Sequence, residues 1–184
     1  MPADDRLLWL DLEMSGLDPE RDRILEAAAI VTSFRLEEQA QYETTVFQRS
    51  EVLSNMSAWC KQHHGASGLT SRVSRGVSEA QLDEALCSLC DKYFQTNPVI
   101  LAGNSISQDR RFVDRWLPRF AQRLHYRMLD VSSFKLIYAN LFDVPFEKAN
   151  NHRALDDIRE SIGEMRYYVG AIDPSRLATR AARG

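Results

Sequence analysis

The sequence predicts an α/β protein, a mixed sheet covered by helices. Apolar runs of strand length crowd the first third of the chain, at residues 7–12, 24–34 and 42–47. From residue 57 onward helical stripes alternate with two further strand candidates, at 99–102 and 127–131. Strands first and alternation afterwards is the pattern of a mixed sheet with helices on its faces. A chain of 184 residues with 44% hydrophobic and 27% charged residues is an ordinary globular composition, long enough to bury a core.

Each element has a local reason. The run Leu8-Trp9-Leu10-Asp11-Leu12-Glu13 reads as a buried strand, ended by the turn residues Ser15-Gly16-Leu17-Asp18-Pro19. The second and third strands follow at short spacing, which predicts an antiparallel meander. A helix over 57–66 stops at Ser67-Gly68. Ser78 with Gln81 forms a capping-box pattern and opens a helix to about residue 95, with Leu82, Ala85, Leu86, Leu89, Tyr93 and Phe94 as its apolar stripe. Asn97-Pro98 ends it, and 99–102 is a buried strand. A helix after Gly103-Asn104-Ser105 turns Phe112, Val113 and Trp116 inward. The last strand, 127–131, enters a helix at Ser132 or Ser133. A final helix starting near Arg153 buries Leu155, Ile158, Ile162, Met165 and Val169.

These elements belong to one domain, residues 1–172, followed by a basic, loose tail at 173–184. No apolar stretch is long enough for a membrane span, and the N-terminus has neither a signal-peptide nor an Arg-rich transit pattern, so a cytoplasmic protein is expected. Cys60, Cys87 and Cys90 make no disulfide framework; Cys87-Ser-Leu-Cys90 lies in a helical stripe without a second such pair, and reads as buried thiols rather than a zinc site. The net charge of −3 conceals a run, 110–127, with six arginines against the single acid Asp114, so the rest of the chain is strongly acidic. That balance argues against coating long nucleic acid through bulk electrostatics, while allowing a local arginine to hold a short phosphate-bearing ligand. Most of these arginines read as a solvated helix face.

Chemistry is concentrated in a few acids. Side chains alternate along a strand, so Asp11 and Glu13 leave the first strand on the same face. Two adjacent carboxylates are costly without a positive charge between them, and oxygen-only donors suit Mg²⁺ or Mn²⁺; the plainer alternative is a solvent-facing pair at a strand end. Asp109 and Asp157 fall in the first turns of their helices, where an acid complements the helix dipole. Taken with Asp11 and Glu13, they supply carboxylates from three separate segments. Asp156 competes with Asp157, but points away from the apolar stripe.

The segments Trp9-Leu10-Asp11-Leu12-Glu13-Met14-Ser15-Gly16-Leu17, Gly103-Asn104-Ser105-Ile106-Ser107-Gln108-Asp109, Asp130-Val131-Ser132-Ser133 and Asn151-His152-Arg153-Ala154-Leu155-Asp156-Asp157 resemble the histidine-bearing branch of the DEDD 3′→5′ exonucleases, and within it the oligoribonucleases. The resemblance covers about residues 6–170. It implies a ribonuclease-H-like mixed five-stranded sheet flanked by helices, and two divalent cations, Mg²⁺ or Mn²⁺, held by Asp11, Glu13, Asp109 and Asp157. His152 would be the general base for the attacking water. It further implies a short single-stranded RNA substrate whose bases meet Leu17, Trp59, His64 and Tyr126, with Ser105, Arg127 and Ser132 gripping the 5′ phosphate. Tyr126 and Arg127 would serve the neighbouring subunit of a homodimer. His64 rather than His63 is matched by its distance from Ser67-Gly68-Leu69. Three other readings stay open: a proofreading or repair exonuclease on single-stranded DNA, a non-catalytic RNA-binding module on the same fold, and a purely structural core domain.

Overall fold

The first strand sets the frame for everything else. Strand β1 (Arg6–Met14) sends Leu8, Leu10 and Leu12 to one face of the sheet and Leu7 and Trp9 to the other, so both faces must be covered. The computed structural model describes residues 5–94, 98–142 and 153–172. In it β1 pairs antiparallel with β2 (Ile24–Ser33), which pairs antiparallel with β3 (Glu38–Thr45). On its other side β1 pairs parallel with β4 (Val99–Gly103), and β4 parallel with β5 (Leu124–Asp130). The result is the expected mixed sheet of five strands, in the order β3-β2-β1-β4-β5.

Eight helices complete the described chain: α1 (Ser50–Asn55), α2 (Ala58–Ala66), α3 (Leu69–Val73), α4 (Glu79–Tyr93), α5 (Ile106–Trp116), α6 (Pro118–Ala121), α7 (Val131–Leu141) and α8 (Ala154–Gly170). α4 and α5 cover the face that carries Leu8, Leu10 and Leu12, through Leu82, Leu86, Phe112 and Val113. α7 and α8 cover the opposite face, where Val131, Ile158 and Ile162 pack on Leu7, Trp9 and Ile30. A third cluster seats Leu25 against Met56, Cys60, Leu69 and Val73 and fixes α1–α3 beside the end of β1. The capping box forms as expected: Gln81 N–H donates to Ser78 Oγ at 3.2 Å, and Ser78 N–H donates to Gln81 Oε1 at 2.9 Å.

The differences from expectation follow exposure. β3 starts four residues earlier than predicted and leaves Phe47 exposed; it is an edge strand with no residue fully buried, so its apolar signal is weak. β5 likewise begins at Leu124 rather than 127, because only Leu124 of that edge strand is buried. In α8 Tyr168 takes the core position predicted for Val169, which is exposed; the tyrosine hydroxyl donates to the buried Glu164 at 2.9 Å. The short helices α1, α3 and α6 have no periodic signature. Cys60, Cys87 and Cys90 are free and buried as expected, and burial pushes the Cys90 thiol up to about 12. Four arginines of the basic run pair with acids, including Arg110 with Asp114 at 2.7 Å and Arg115 with Glu20 at 3.3 Å. No helix among the described residues is long and apolar enough to cross a membrane. The tail at 173–184 lies outside the described residues.

Candidate active site

At the carboxyl end of β1 two helices meet from opposite faces of the sheet. α8 brings Asp157 to the face that carries Asp11 and Glu13, and single oxygens of these three carboxylates lie within 4.8 Å of one another. Asp109 comes from α5 on the other face. It is only 6% exposed, and its Oδ1 accepts a hydrogen bond from the Leu12 amide at 2.9 Å. That bond ties the acid to the one residue of β1 that separates Asp11 from Glu13.

The electrostatics of this arrangement are unfavourable for bare protein. Burial, then the charges of Asp11, Asp157 and Glu26, push the Glu13 carboxyl up to about 8. Burial and the Asp11 charge hold Asp109 well above the usual carboxylate range, against the opposing pull of backbone hydrogen bonds. An all-oxygen donor set that gathers negative charge in a partly buried place fits a hard divalent cation, which would favour the ionised carboxylates. Opposite Glu13 in the β1–β2 register stands Glu26, a buried acid answered by Arg72 Nη1 at 2.8 Å. No local pattern announces this pair, because its partners are brought together by the packing of α3 on β2.

Beside the acids opens a cleft of about 1090 Å³, lined by Glu13, Met14, Leu17, Trp59, Cys60 and His64 among others. Leu17 and Trp59 are 72% and 67% exposed, so large apolar surfaces are displayed next to the carboxylates. The loop carrying Leu17 is braced. Ser15 Oγ donates to Asp22 Oδ1 at 2.9 Å, the Asp18 amide donates to Asp22 Oδ2 at 3.0 Å, and Gln108 Nε2 donates to the Leu17 carbonyl at 2.7 Å. A Cβ at Gly16 would stand 2.4 Å from Asp22 Oδ2 and displace the carboxylate that braces the loop. Gln108, one residue before Asp109, carries no sequence signal for this role, because Leu17 lies 91 positions away. α2 is capped by Ser57, whose Oγ accepts from the Cys60 amide at 3.1 Å. His64 is buried at the inner side of the cleft rather than displayed: its Nε2 lies 2.9 Å from the Met14 carbonyl, to which a protonated Nε2 donates, and its Nδ1 lies 3.8 Å from Glu13 Oε2.

Other predicted residues gather elsewhere. Ser105, in the left-handed region at φ 51°, donates its amide to Asp130 Oδ1 at 3.0 Å and to Ser132 Oγ at 2.8 Å; the two serine hydroxyls are 3.1 Å apart. Ser105 and Ser132 are therefore joined at the carboxyl ends of β4 and β5. Tyr126, 75% exposed, and Arg127 stand on the edge strand β5, the guanidinium 5.0 Å from the phenol ring centre, and neither lines the cleft. His152 lies outside the described residues.

Comparison with known proteins places this arrangement. The exonuclease family RNase_T matches residues 8–165. The chain is similar to the oligoribonuclease of Coxiella burnetii, 44% identical over 171 residues, covering 90% of this chain and 93% of that one. It is similar to the oligoribonuclease of Marinobacter nauticus, 42% identical over 173 residues, covering 91% and 96%. Among solved structures, E. coli exonuclease I in complex with a dA16 oligonucleotide superposes with a TM-score of 0.70 at 16% identity. That likeness covers 94% of this chain and 42% of the larger enzyme. Exonuclease I from Methylocaldum szegediense gives a TM-score of 0.67 at 19% identity, covering 88% and 40%. These two show the shared fold.

Proposed function

The chain belongs to the oligoribonuclease family of exonucleases, and on that premise we propose that it is a 3′→5′ exoribonuclease hydrolysing very short RNA to 5′-mononucleotides. The observation that carries the reading is the meeting of Asp11, Glu13 and Asp157, with Asp109 tied to the same strand, beside a cleft displaying Leu17 and Trp59. The exonuclease domain spans residues 1–172.

Asp11, Glu13, Asp109 and Asp157 would hold two divalent cations, Mg²⁺ or Mn²⁺, which supply Lewis-acid polarisation of the scissile phosphodiester. The chain's own residues do the rest. Asp109 and Asp157, brought by helices from opposite faces, complete with Asp11 and Glu13 the oxygen set that would hold the cations. His152 takes the proton of the attacking water, a task suited to an imidazole whose ordinary pKa is about 6.5. Leu17 and Trp59 receive a base, and stacking on an aromatic ring is worth ~1–3 kcal/mol, a large share for a ligand with two bases. His64 closes the inner side of that cleft.

Ser105 and Ser132 grip the 5′ phosphate together with Arg127 of a second copy, which would give the enzyme a ruler for length. Tyr126 and Arg127 stand outside the cleft of their own subunit, so they serve the site of a second copy in a homodimer. Exposed Leu136 and Leu141 on α7 and Phe142 at its end supply apolar surface for such a contact.

Hydrolysis of 5′-labelled RNAs from two to ten nucleotides, with Mg²⁺, with Mn²⁺ and with EDTA, tests the reading. Metal-dependent cleavage fastest on the dinucleotide and absent in Asp109→Ala is the expected result. Equal rates at all lengths, or faster cleavage of single-stranded DNA, would replace it with a general or proofreading exonuclease. Binding without turnover would leave an RNA-binding module.

A further inference from the structure

We propose that His63 is a positioning residue for substrate binding: its imidazole, stacked on Trp59, holds the indole ready to receive a base. The inference deepens, and rests on, the reading of the Leu17–Trp59 cleft as the base site.

Residues 59 and 63 are four apart on α2 and therefore share a face of the helix. Their rings lie nearly parallel, with centroids 4.7 Å apart and planes 9° from each other. Trp59 lines the cleft and His63 does not, so the imidazole backs the indole on the side away from the cleft. The imidazole is itself anchored. Its ring meets the edge of His64 at 5.6 Å and 72°, and His64 is fixed to the Met14 carbonyl. A row of rings thus runs from the exposed indole to the strand that carries Asp11 and Glu13.

An indole this exposed on a helix surface has several staggered orientations open to it. Ordering it only when substrate arrives would be subtracted from affinity, and a dinucleotide has few contacts from which to recover that cost. A ring stacked on one face removes most of the alternatives while leaving the other face free. The proposed role is therefore in binding: His63 acts before the chemistry, through Trp59, and does not touch the reacting atoms.

The test is steady-state hydrolysis of an RNA dinucleotide by the full chain and by His63→Ala, His63→Phe, Trp59→Ala and the His63→Ala/Trp59→Ala double variant. Loss of the stacked partner should raise KM about fivefold in His63→Ala, with kcat within twofold. His63→Phe, which keeps a flat ring, should return KM to within twofold of wild type. The double variant should match Trp59→Ala alone, because the histidine acts only through the indole. Unchanged KM in His63→Ala, a fall in kcat at constant KM, no rescue by phenylalanine, or full additivity would each overturn the proposal. If His63→Ala melts early, His63→Leu keeps the bulk without the flat ring and is read in the same way. A Trp59→Ala effect without a His63→Ala effect sinks this inference alone; no effect of Trp59→Ala sinks the reading of the cleft as well. Should the wild type not cleave, the same series is read as dissociation constants for the dinucleotide.

Discussion

Asp83 and Asp109 are both aspartates on helices, 5% and 6% exposed, and they are used in opposite ways. Asp83, on α4, spends its carboxylate on the first turn of α6: Oδ2 accepts from the Arg119 amide at 3.1 Å and Oδ1 from the Phe120 amide at 2.8 Å. Those amides have no partner within their own helix, so the acid satisfies them and gains from the helix dipole. Asp109 has the Leu12 amide and then faces Asp11 and Glu13, which push its carboxyl upward. Burial is thus the same in both regions, while the surroundings differ in whether they supply donors or further negative charge. An acid surrounded by donors holds the fold together. One surrounded by acids is held there by the fold, at a cost, for a cation and a substrate.

Exchanging the two roles by mutation should separate activity from stability. Asp109→Asn is nearly isosteric and removes a charge from the crowded cluster. It should reduce the rate on short RNA by roughly three orders of magnitude, the scale for losing a preorganised electrostatic group, while melting no earlier than wild type in EDTA. Asp83→Ala should do the reverse. It leaves the buried Phe120 amide unsatisfied and removes the acceptor of the partly buried Arg119 amide, costs about 1–3 kcal/mol in denaturant unfolding, and leaves kcat/KM of the folded fraction unchanged. If Asp109→Asn stayed active, or Asp83→Ala left stability unaltered, the contrast between the two regions would collapse.

A pH series sharpens the same contrast. The Glu13 carboxyl, raised from 4.5 to about 8, binds a proton in the folded state that the unfolded chain has released. Metal-free protein should therefore lose stability as pH rises from near 4.5 to near 8, by up to about 5 kcal/mol. Glu13→Gln should flatten that slope and raise Tm by up to roughly 10–20 °C at pH 8.5 in EDTA. The gain should shrink when Mg²⁺ is added, because the wild-type carboxylates then have their counter-charge. Calorimetry with and without EDTA reads both arms. The smallest effect is expected at Asp114, five residues beyond Asp109 on α5 but exposed and paired with Arg110 at 2.7 Å. Asp114→Ala should change stability by no more than about 0.5 kcal/mol and leave activity alone.

What the sequence made legible was whatever has a short-range signature. The alternation in β1 put Asp11 and Glu13 on one face, and Asp157, which the helical stripe favours over Asp156, lies with them. Ser78 and Gln81 announced their cap. The edge strands β3 and β5 were placed late, since an exposed strand carries no apolar run. Asp83, Glu26 with Arg72, and Gln108 were missed for a different reason: each acts on a residue between 36 and 91 positions away, which no local pattern encodes. His63 sat next to the matched His64, and its stacking on Trp59 was a matter of side-chain direction that spacing alone left open.

The hydrogen bond from the Leu12 amide to Asp109 spans 97 positions, and Asp157 comes 48 positions later still. No fragment ending before residue 157 contains all four acids, so the cluster can assemble only after most of the chain has been made, and the first strand must wait for its last partner.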